Sequence, residues 1–199
     1  MSHSTRCGFV ALLFLAGVAG LVHADEPLPF RAFPNALGIA YGPISGTGLH
    51  YHRWAGDIGF QFAAGVLYLP PHEVTWAQNM LDYVAGGAFQ RRIYGDRFAS
   101  WLAGSLYLFA GGNHRGFIPI EIRHRDPGED PPLEPERVVG PFVAELTAGV
   151  GIGIEIILFR HLSVPVEFGY GATWTATEPE LRNAFRVNLY GQTALRYRY

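Results

Sequence analysis

The chain has 199 residues, 15 basic and 17 acidic side chains, and a formal net charge of −2. This length suits one domain, and the near balance of charge gives no support to a nucleic-acid partner. With 25 glycines and 14% aromatic residues, the composition favours many short strands over a helical bundle.

The first residues predict export. Residues 8–22 form an almost unbroken apolar run, and Val22 and Ala24 are small residues placed as in a signal-peptidase site. We therefore predict a signal peptide over residues 1–24, with a retained membrane anchor as the alternative. The single cysteine, Cys7, precedes the apolar run, whereas a lipoprotein cysteine would follow it. The mature chain is expected to contain no cysteine.

After Ala24 the pattern is that of β-strands. Residues 25–35 form a lead-in without periodicity, and no later segment offers the roughly 18 uninterrupted apolar residues of a transmembrane helix. Beyond the lead-in, apolar side chains recur at every second position. Eight strands are predicted, over about residues 36–42, 49–54, 58–69, 80–91, 98–111, 139–159, 162–175 and 184–199.

The predicted connections alternate in length. Those after the second, fourth and sixth strands are short, with Tyr94-Gly95-Asp96 as the turn between the fourth and fifth strands. Those after the third, fifth and seventh are longer, and only the first, Ile44–Gly48, is shorter than this rule suggests. The alternation predicts an all-β fold, a single eight-stranded antiparallel up-and-down barrel over residues 36–199.

The two faces of the sixth predicted strand differ sharply. One is apolar, with Leu146, Val150, Ile152, Ile154, Ile156 and Leu158, and the other holds Glu145, Thr147, Gly149, Gly151, Gly153 and Glu155. A soluble barrel would turn the apolar face inward, but its outer face would then be mostly glycine, which is unusual for a surface in water. The strand is long enough to cross a bilayer at a tilt of about 45°. We therefore predict a transmembrane barrel with the apolar face toward lipid.

Aromatic side chains gather near the ends of the predicted strands. At the long-loop end these are Tyr68, Tyr83, Phe142, Trp174 and Phe185, and at the short-turn end Trp54, Phe98, Phe159, Tyr197 and Tyr199. Two such groups are typical of the interfacial girdles of a membrane barrel. The alternative is a set of aromatic residues scattered through a core.

The C-terminal strand carries the most specific resemblance to a known family. Tyr190-Gly191-Gln192-Thr193-Ala194-Leu195-Arg196-Tyr197-Arg198-Tyr199 resembles the signal read by the barrel-assembly machinery. The mature chain is similar to the small eight-stranded outer-membrane β-barrels, the class of OmpX-like, OmpW-like and OmpA-transmembrane-domain-like proteins, without assignment to a subfamily. This resemblance implies an integral protein of the outer membrane of a diderm bacterium. Its expected partners are lipid and, through the strand ending at Tyr199, the assembly machinery.

The predicted barrel encloses a network of charged side chains. Its members are Asp82, Glu145, Glu155, Glu167, Arg186 and Arg196, joined by Gln61, Gln90, Asn188 and Gln192, and by His50 and His52 if Leu49 and Tyr51 face outward. Ion pairs there would fill the interior, because an unpaired buried charge is costly. Glu155 and Glu167 are predicted diagonal neighbours, which requires an arginine between them or a proton on one. The facing of the fifth strand stays open, because both of its sides are apolar.

Residues 112–137 are predicted to form a long extracellular loop. Apolar alternation over Phe117–Ile122 indicates that a strand continues beyond the membrane, where an open edge can add a partner's strand. The candidate residues for a surface interaction are Arg115, Arg123, His124, Arg125, Glu129 and Asp130. The alternative is a loop whose charges only keep it solvated.

Two functions are in contention, and neither is enzymatic. One is a narrow passive conduit for small or hydrophobic solutes, which the OmpW-like resemblance implies. The other is a surface interaction or adhesion protein with an extracellular protein as partner, in which a closed barrel carries the loop. A lipid-modifying enzyme stands third, because His161-Leu162-Ser163 resembles the His-x-Ser of outer-membrane lipid A deacylases but lies at the predicted periplasmic turn. We predict no catalytic residue, metal or cofactor.

Overall fold

A computed structural model describes residues 27–70, 79–123, 136–177 and 184–199. The predicted signal peptide over residues 1–24 lies outside these ranges, as do most of the predicted loop tips. Within them the helical structure is a single short element, and no helix has the length and hydropathy to span a membrane.

One helical turn and nine strands make up the described chain. They are α1 (Pro29–Ala32), β1 (Asn35–Tyr41), β2 (Gly48–Ala55), β3 (Ile58–Tyr68), β4 (Asn79–Ala99), β5 (Leu102–Arg123), β6 (Glu136–Val139), β7 (Val143–Leu158), β8 (Leu162–Thr177) and β9 (Ala184–Arg198).

Eight of the strands form a closed antiparallel ring in the order β1-β2-β3-β4-β5-β7-β8-β9. The ring closes because β9 pairs with β1 along Ala36–Tyr41, while β4 pairs with β5 and β5 with β7. The ninth strand, β6, pairs with the last residues of β5. The predicted all-β, up-and-down arrangement of eight antiparallel strands is confirmed.

The ring has two ends, the terminal end and the loop end. The terminal end holds the start of β1, the end of β9 and the connections β2–β3, β4–β5 and β7–β8. The loop end holds the connections β1–β2, β3–β4 and β8–β9, together with the β5–β6 hairpin. This hairpin extends β5 to Arg123, so the first part of the predicted loop 112–137 is strand.

Two strand boundaries differ from the sequence prediction. Tyr94–Asp96 is not a turn but part of β4, which turns into β5 only after Ala99. The glycine there serves packing instead, since a Cβ on Gly95 would lie 2.7 Å from the Phe30 ring. The strand predicted over residues 139–159 begins only at Val143, as β7, and Val139 is the last residue of β6. Pro141 lies between the two strands, and proline has no N–H to donate to a strand ladder.

The predicted facing of β7 is confirmed. Ile154 is 55% exposed on the outside of the ring, whereas the neighbouring Glu155 is 0% exposed inside it. The same alternation continues around the ring. The exposed outer side chains include Leu37, Ile39, Leu49, Phe60, Phe62, Phe89, Leu108, Leu146, Val150, Ile152, Ile156, Phe168, Tyr170, Val187, Leu189 and Leu195.

β5, whose facing the sequence left open, turns Tyr107 and Phe109 into the interior and exposes Leu108, while Trp101, in the turn before β5, is also exposed. The inward rings fit because β7 presents glycines opposite them. A Cβ on Gly153 would lie 2.4 Å from Tyr107 Cζ, and a Cβ on Gly151 would lie 2.6 Å from Phe109 Cε1. The glycine face of β7 therefore makes room for the aromatic side chains of β5.

The prediction that Trp54 belongs to an interfacial girdle was wrong. Trp54 is 2% exposed and lies inside the ring, because it shares the inward face of β2 with His50 and His52. Tyr83 is half-buried and stacks on Phe142 with ring centroids 6.5 Å apart. The other predicted girdle residues are exposed, namely Tyr68, Phe142, Trp174, Phe185, Phe98, Phe159, Tyr197 and Tyr199.

Candidate functional site

A fully buried carboxylate, Glu155, anchors the terminal-end half of the interior. Arg198 Nη2 donates to Glu155 Oε1 at 2.5 Å, and Arg196 Nη1 lies 3.6 Å from the same oxygen. Ser163 Oγ donates to this carboxylate as well, and Trp54 Nε1 donates to Oε2 at 3.3 Å. Three hydrogen-bond donors and a second arginine, from β2, β8 and β9, thus meet one side chain of β7, which ties opposite sides of the ring together.

The second buried carboxylate, Glu167, has a different set of donors. Tyr107 Oη and Gln90 Nε2 donate to Oε1 at 2.6 and 2.9 Å. Gln61 Nε2 donates to Oε2 at 3.5 Å, and Gln192 Nε2 donates to the same oxygen. A carboxylate has about four lone-pair sites, so Glu167 is saturated by neutral donors, and it has no direct arginine partner among the residues that the structure describes.

The two carboxylates are linked through Arg196. Its Nη2 donates at 2.7 Å to Oε1 of Gln61, whose amide nitrogen donates to Glu167. The expected arginine between two neighbouring acids is therefore present, but it reaches the second acid through a glutamine. His50 and His52 extend the network, with Nε2 atoms 3.3 and 2.9 Å from the Gln61 and Gln90 oxygens.

The β1–β2 connection folds into the ring from the loop end. Ile44 is 0% exposed, and a Cβ on Gly149 or Gly171 would lie 2.9 or 3.3 Å from its side chain. The backbone N–H groups of Ile44 and Ser45 donate to Gln192 Oε1 at 3.1 and 3.3 Å. Residues 42–48 are hereafter called the inner loop. Because these residues fold inward, the connection between β1 and β2 is shorter than the alternation of connection lengths predicts for the loop end.

The terminal end is covered by the lead-in. Phe30 of α1 is buried, and the Arg92 guanidinium lies 3.7 Å from its ring centroid and 4.1 Å from that of Trp54. Arg198 Nη1 also donates to the Phe33 carbonyl at 3.2 Å. The described interior is thus filled from both ends, with the carboxylate network between α1 and the inner loop.

Above the inner loop, a cup of about 650 Å³ opens at the loop end. Arg115 donates to Asp82 through Nε at 2.9 Å and through Nη2 at 2.5 Å, a bidentate contact. Glu145 lies 3.6 Å from Arg115 Nη1 and 3.8 Å from Arg186 Nη2. Pro43 and Thr47 of the inner loop contribute to its lining. The cup therefore presents two guanidinium groups and two carboxylates.

The charged residues predicted for the lumen fall into these two groups. Glu155, Glu167 and Arg196 lie deep in the ring, whereas Asp82, Glu145 and Arg186 lie in the cup. Arg115, predicted as part of a surface loop, is a β5 residue of the cup. The side chain of Arg123, and His124, Arg125, Glu129 and Asp130, lie outside the described residues.

Sequence reasoning missed several members of the site. Arg198, next to the last residue, was not placed in the network, although its parity with Arg196 on β9 indicates the same face. Trp54 was placed at the membrane interface because it lies near a strand end. Ser163 was considered only as part of His161-Leu162-Ser163.

The geometry gives His161 and Ser163 structural contacts. Ser163 Oγ donates to the buried Glu155, while His161 Nδ1 lies 2.9 Å from the Arg198 carbonyl and its ring stacks on Tyr197. His161 follows Phe159 and Arg160, which have φ of 50° and 72°, so it belongs to a tight turn. Among the described residues, no cluster of three or more His, Cys, Asp or Glu side chains could hold a metal ion.

Comparison with protein-family models, with curated proteins and with solved structures finds no match to this chain. Any functional proposal therefore rests on the ring, its filled interior and its cup.

Proposed function

We propose that the chain is an integral outer-membrane β-barrel with a closed interior, and that it acts as a binding protein at its loop end. The observation that carries this proposal is the orientation of the ring. Large apolar side chains cover its outside, while buried carboxylates, arginines, amides and histidines occupy its inside.

Energetics favour lipid as the surroundings of this outer face. An aliphatic or aromatic side chain gains about 1.5–3 kcal/mol when it leaves water, and soluble monomers rarely expose apolar patches above a few hundred Å². In hydrocarbon an unpaired backbone polar group costs several kcal/mol. A closed ring removes that cost, because every strand of it has a neighbour on both sides.

The filled interior supports a binding role over a conduit. The inner loop, the network of Glu155 and Glu167, and the Phe30–Arg92 stack succeed one another along the axis of the ring. A solute would have to displace several of these contacts. The cup, by contrast, is open at the loop end, and its volume is in the range of ligand sites, about 300–1,000 Å³.

The charges of the cup indicate the class of ligand. Two guanidinium groups and two carboxylates alternate around it, and Arg186 is exposed at its rim. A small zwitterion can meet both signs of charge, whereas a single ion would face repulsion from half of the cup. We therefore assign to this site small zwitterionic molecules, or the end of a partner chain that carries both signs of charge.

Two measurements test the proposal. Membranes from cells expressing the chain are washed with alkaline carbonate, and the protein is expected to stay in the pellet and to give no stepwise conductance in planar bilayers. Free amino acids, the simplest zwitterions, are expected to raise its unfolding temperature more than glucose does, and Arg186→Gln is expected to reduce this difference. Release by carbonate would contradict the membrane proposal, while equal effects of amino acids and glucose would contradict the binding site.

A further inference from the structure

A groove of about 830 Å³ lies on the outer face of the ring. Its walls are apolar side chains of β4, β5, β7 and β8, among them Phe89, Leu108, Ile152 and Phe168. Ala110 lies in register between Phe89 and Val150, so a methyl group stands where its neighbours carry large side chains. Among the described residues that line the groove, Arg91 is the one with a charge.

Arg91 stands out from the other charges of the barrel wall. It is exposed on the outer, apolar face of β4, and it has no hydrogen-bond, ion-pair or ring partner among the described residues. Arg53 on the outer face of β2 is exposed and unpartnered there in the same way. The neighbouring Arg92, in contrast, faces inward and lies 3.6 Å from Asp57.

Both arginines lie toward the terminal end. Arg53 is two residues from the end of β2, and Arg91 pairs with Ile58, the first residue of β3. Only β3 lies between the two strands, which are therefore about 10 Å apart. Arg53 pairs with Phe60 of β3, two residues along from Ile58, so the two Cα atoms are about 12 Å apart. Two arginine side chains can converge on one group over that distance.

The groove rises from Arg91 into the apolar belt. The register row runs from Arg91 to Leu108, Ile152 and Phe168, three strand spacings or about 14 Å. Barrel strands tilt by about 35–45°, so such a row climbs. The row meets β3 at Ile58, the first residue of that strand, but it meets β8 at Phe168, six residues after Leu162. At that tilt a row of about 14 Å rises by about 8–10 Å along the bilayer normal, which is well within a hydrocarbon core of about 30 Å.

We propose that Arg53 and Arg91 bind the phosphate of a phospholipid of the periplasmic leaflet, and that one acyl chain of this lipid lies in the groove. This inference rests on the proposed membrane location. Charge complementarity identifies the occupant, because an arginine near the edge of a bilayer extends its guanidinium to the headgroup level, where guanidinium binds phosphate in a bidentate manner. The apolar row supplies the surface for the chain attached to that phosphate.

Native mass spectrometry of the full chain, purified from membranes in mild detergent, tests the site. The probes are dioleoyl phosphatidylglycerol, dioleoylglycerol with the same chains but no phosphate, and glycerol phosphate with no chains. Phosphatidylglycerol is expected to bind at least about tenfold more tightly than either of the others, a factor that two charge-assisted hydrogen bonds can supply.

Variants separate the site from the rest of the barrel. Arg53→Gln with Arg91→Gln is expected to remove the preference for phosphate, and Ala110→Trp to weaken binding by filling the groove. Arg186→Gln, which removes one positive charge at the loop end, is the control and is expected to leave lipid binding unchanged. Equal retention of the three probes, or an unaltered preference in the double variant, would overturn the inference. Carbonate extraction of the same variants reports membrane insertion independently, so failure of the site and failure of the proposed function are distinguishable.

Discussion

Glu155 of β7 and Arg198 of β9 form an ion pair in which both side chains are 0% exposed, with Oε1 and Nη2 2.5 Å apart. The pair joins two strands of the ring that are separated by β8. It also connects the network to the lead-in, because Arg198 donates to the Phe33 carbonyl. The pair is therefore expected to couple the stability of the ring to closure of its terminal end.

Replacing Arg198 with methionine tests this coupling. The change leaves the Glu155 carboxylate with fewer charged partners in a buried site, and breaking a buried pair costs about 3–5 kcal/mol. We expect a loss of that size in the free energy of unfolding, measured by urea titration in phospholipid vesicles. Arg115→Met is the matched control. Its pair with Asp82 is partly exposed, so a loss of only about 0–1 kcal/mol is expected. Similar losses in the two variants would refute the special role of the buried pair.

The saturation of Glu167 predicts an unusual response to a conservative change. Glu167→Gln replaces one acceptor oxygen by an NH2 group, which is a hydrogen-bond donor. In this buried site the NH2 group would face the donor groups that now bind the carboxylate. We expect a loss of about 1–3 kcal/mol, measured by the same titration. Glu145→Gln in the open cup is the comparison, since water can reach that side chain, and it is expected to have a much smaller effect. If Glu167→Gln leaves the free energy of unfolding unchanged, the four donor groups must have other acceptors.

The packing of the inner loop can be tested at a glycine of β7. In Gly149→Val the new side chain would meet Ile44 and the backbone of β8, with a Cβ 2.7 Å from the Tyr170 carbonyl oxygen. We expect destabilisation by about 1–3 kcal/mol, typical of overpacking. Ala148→Val changes the adjacent residue on the exposed face and is expected to be tolerated. Equal tolerance of both would show that the inner loop does not occupy the ring.

Release of the inner loop is expected to alter permeability. Gln192→Ala with Asn113→Ala removes the side chains that bind the Ile44 and Ser45 N–H groups and the Pro43 carbonyl. If the loop is a main barrier on the axis, the double variant conducts small ions in planar bilayers while the natural chain does not. Thr193→Ala, which removes a bond to the Pro165 carbonyl elsewhere on β9, serves as control. If the double variant shows no ion conductance, the main barrier is the network of Glu155 and Glu167 and not the inner loop.

The period of two in the sequence was enough to predict the ring and the facing of most strands. On β7 the glycine and glutamate face was predicted to be the inner one, because a face made mostly of glycine is unusual for a surface in water. On β5 this signal failed, since aromatic side chains lie on both faces and only the glycines of β7 opposite them decide which rings face inward. That information lies on another strand, about 45 residues away in sequence.

The composition of the interior was partly predictable, but its pairing was not. Charged residues on the inward face of β7, β8 and β9 follow from parity, and Arg198 follows by the same rule. That Arg198 pairs with Glu155, while Glu167 is bound by amides and a phenol, depends on which side chains the register brings together. The inner loop and α1 could not be foreseen, because short irregular segments have no period from which their direction can be read.

The central claim is that the outer face of the ring meets lipid, and site-directed fluorescence tests it most directly. The mature chain is expected to have no native cysteine, so an environment-sensitive dye can be attached at Ile154→Cys on the outer face or at Thr147→Cys on the inner face of β7. In vesicles, lipids brominated along their acyl chains are expected to quench the dye at position 154 and leave the dye at position 147 unaffected. A folded chain that stays monomeric in plain buffer, with the dye at position 154 quenched by aqueous iodide instead, would contradict the claim.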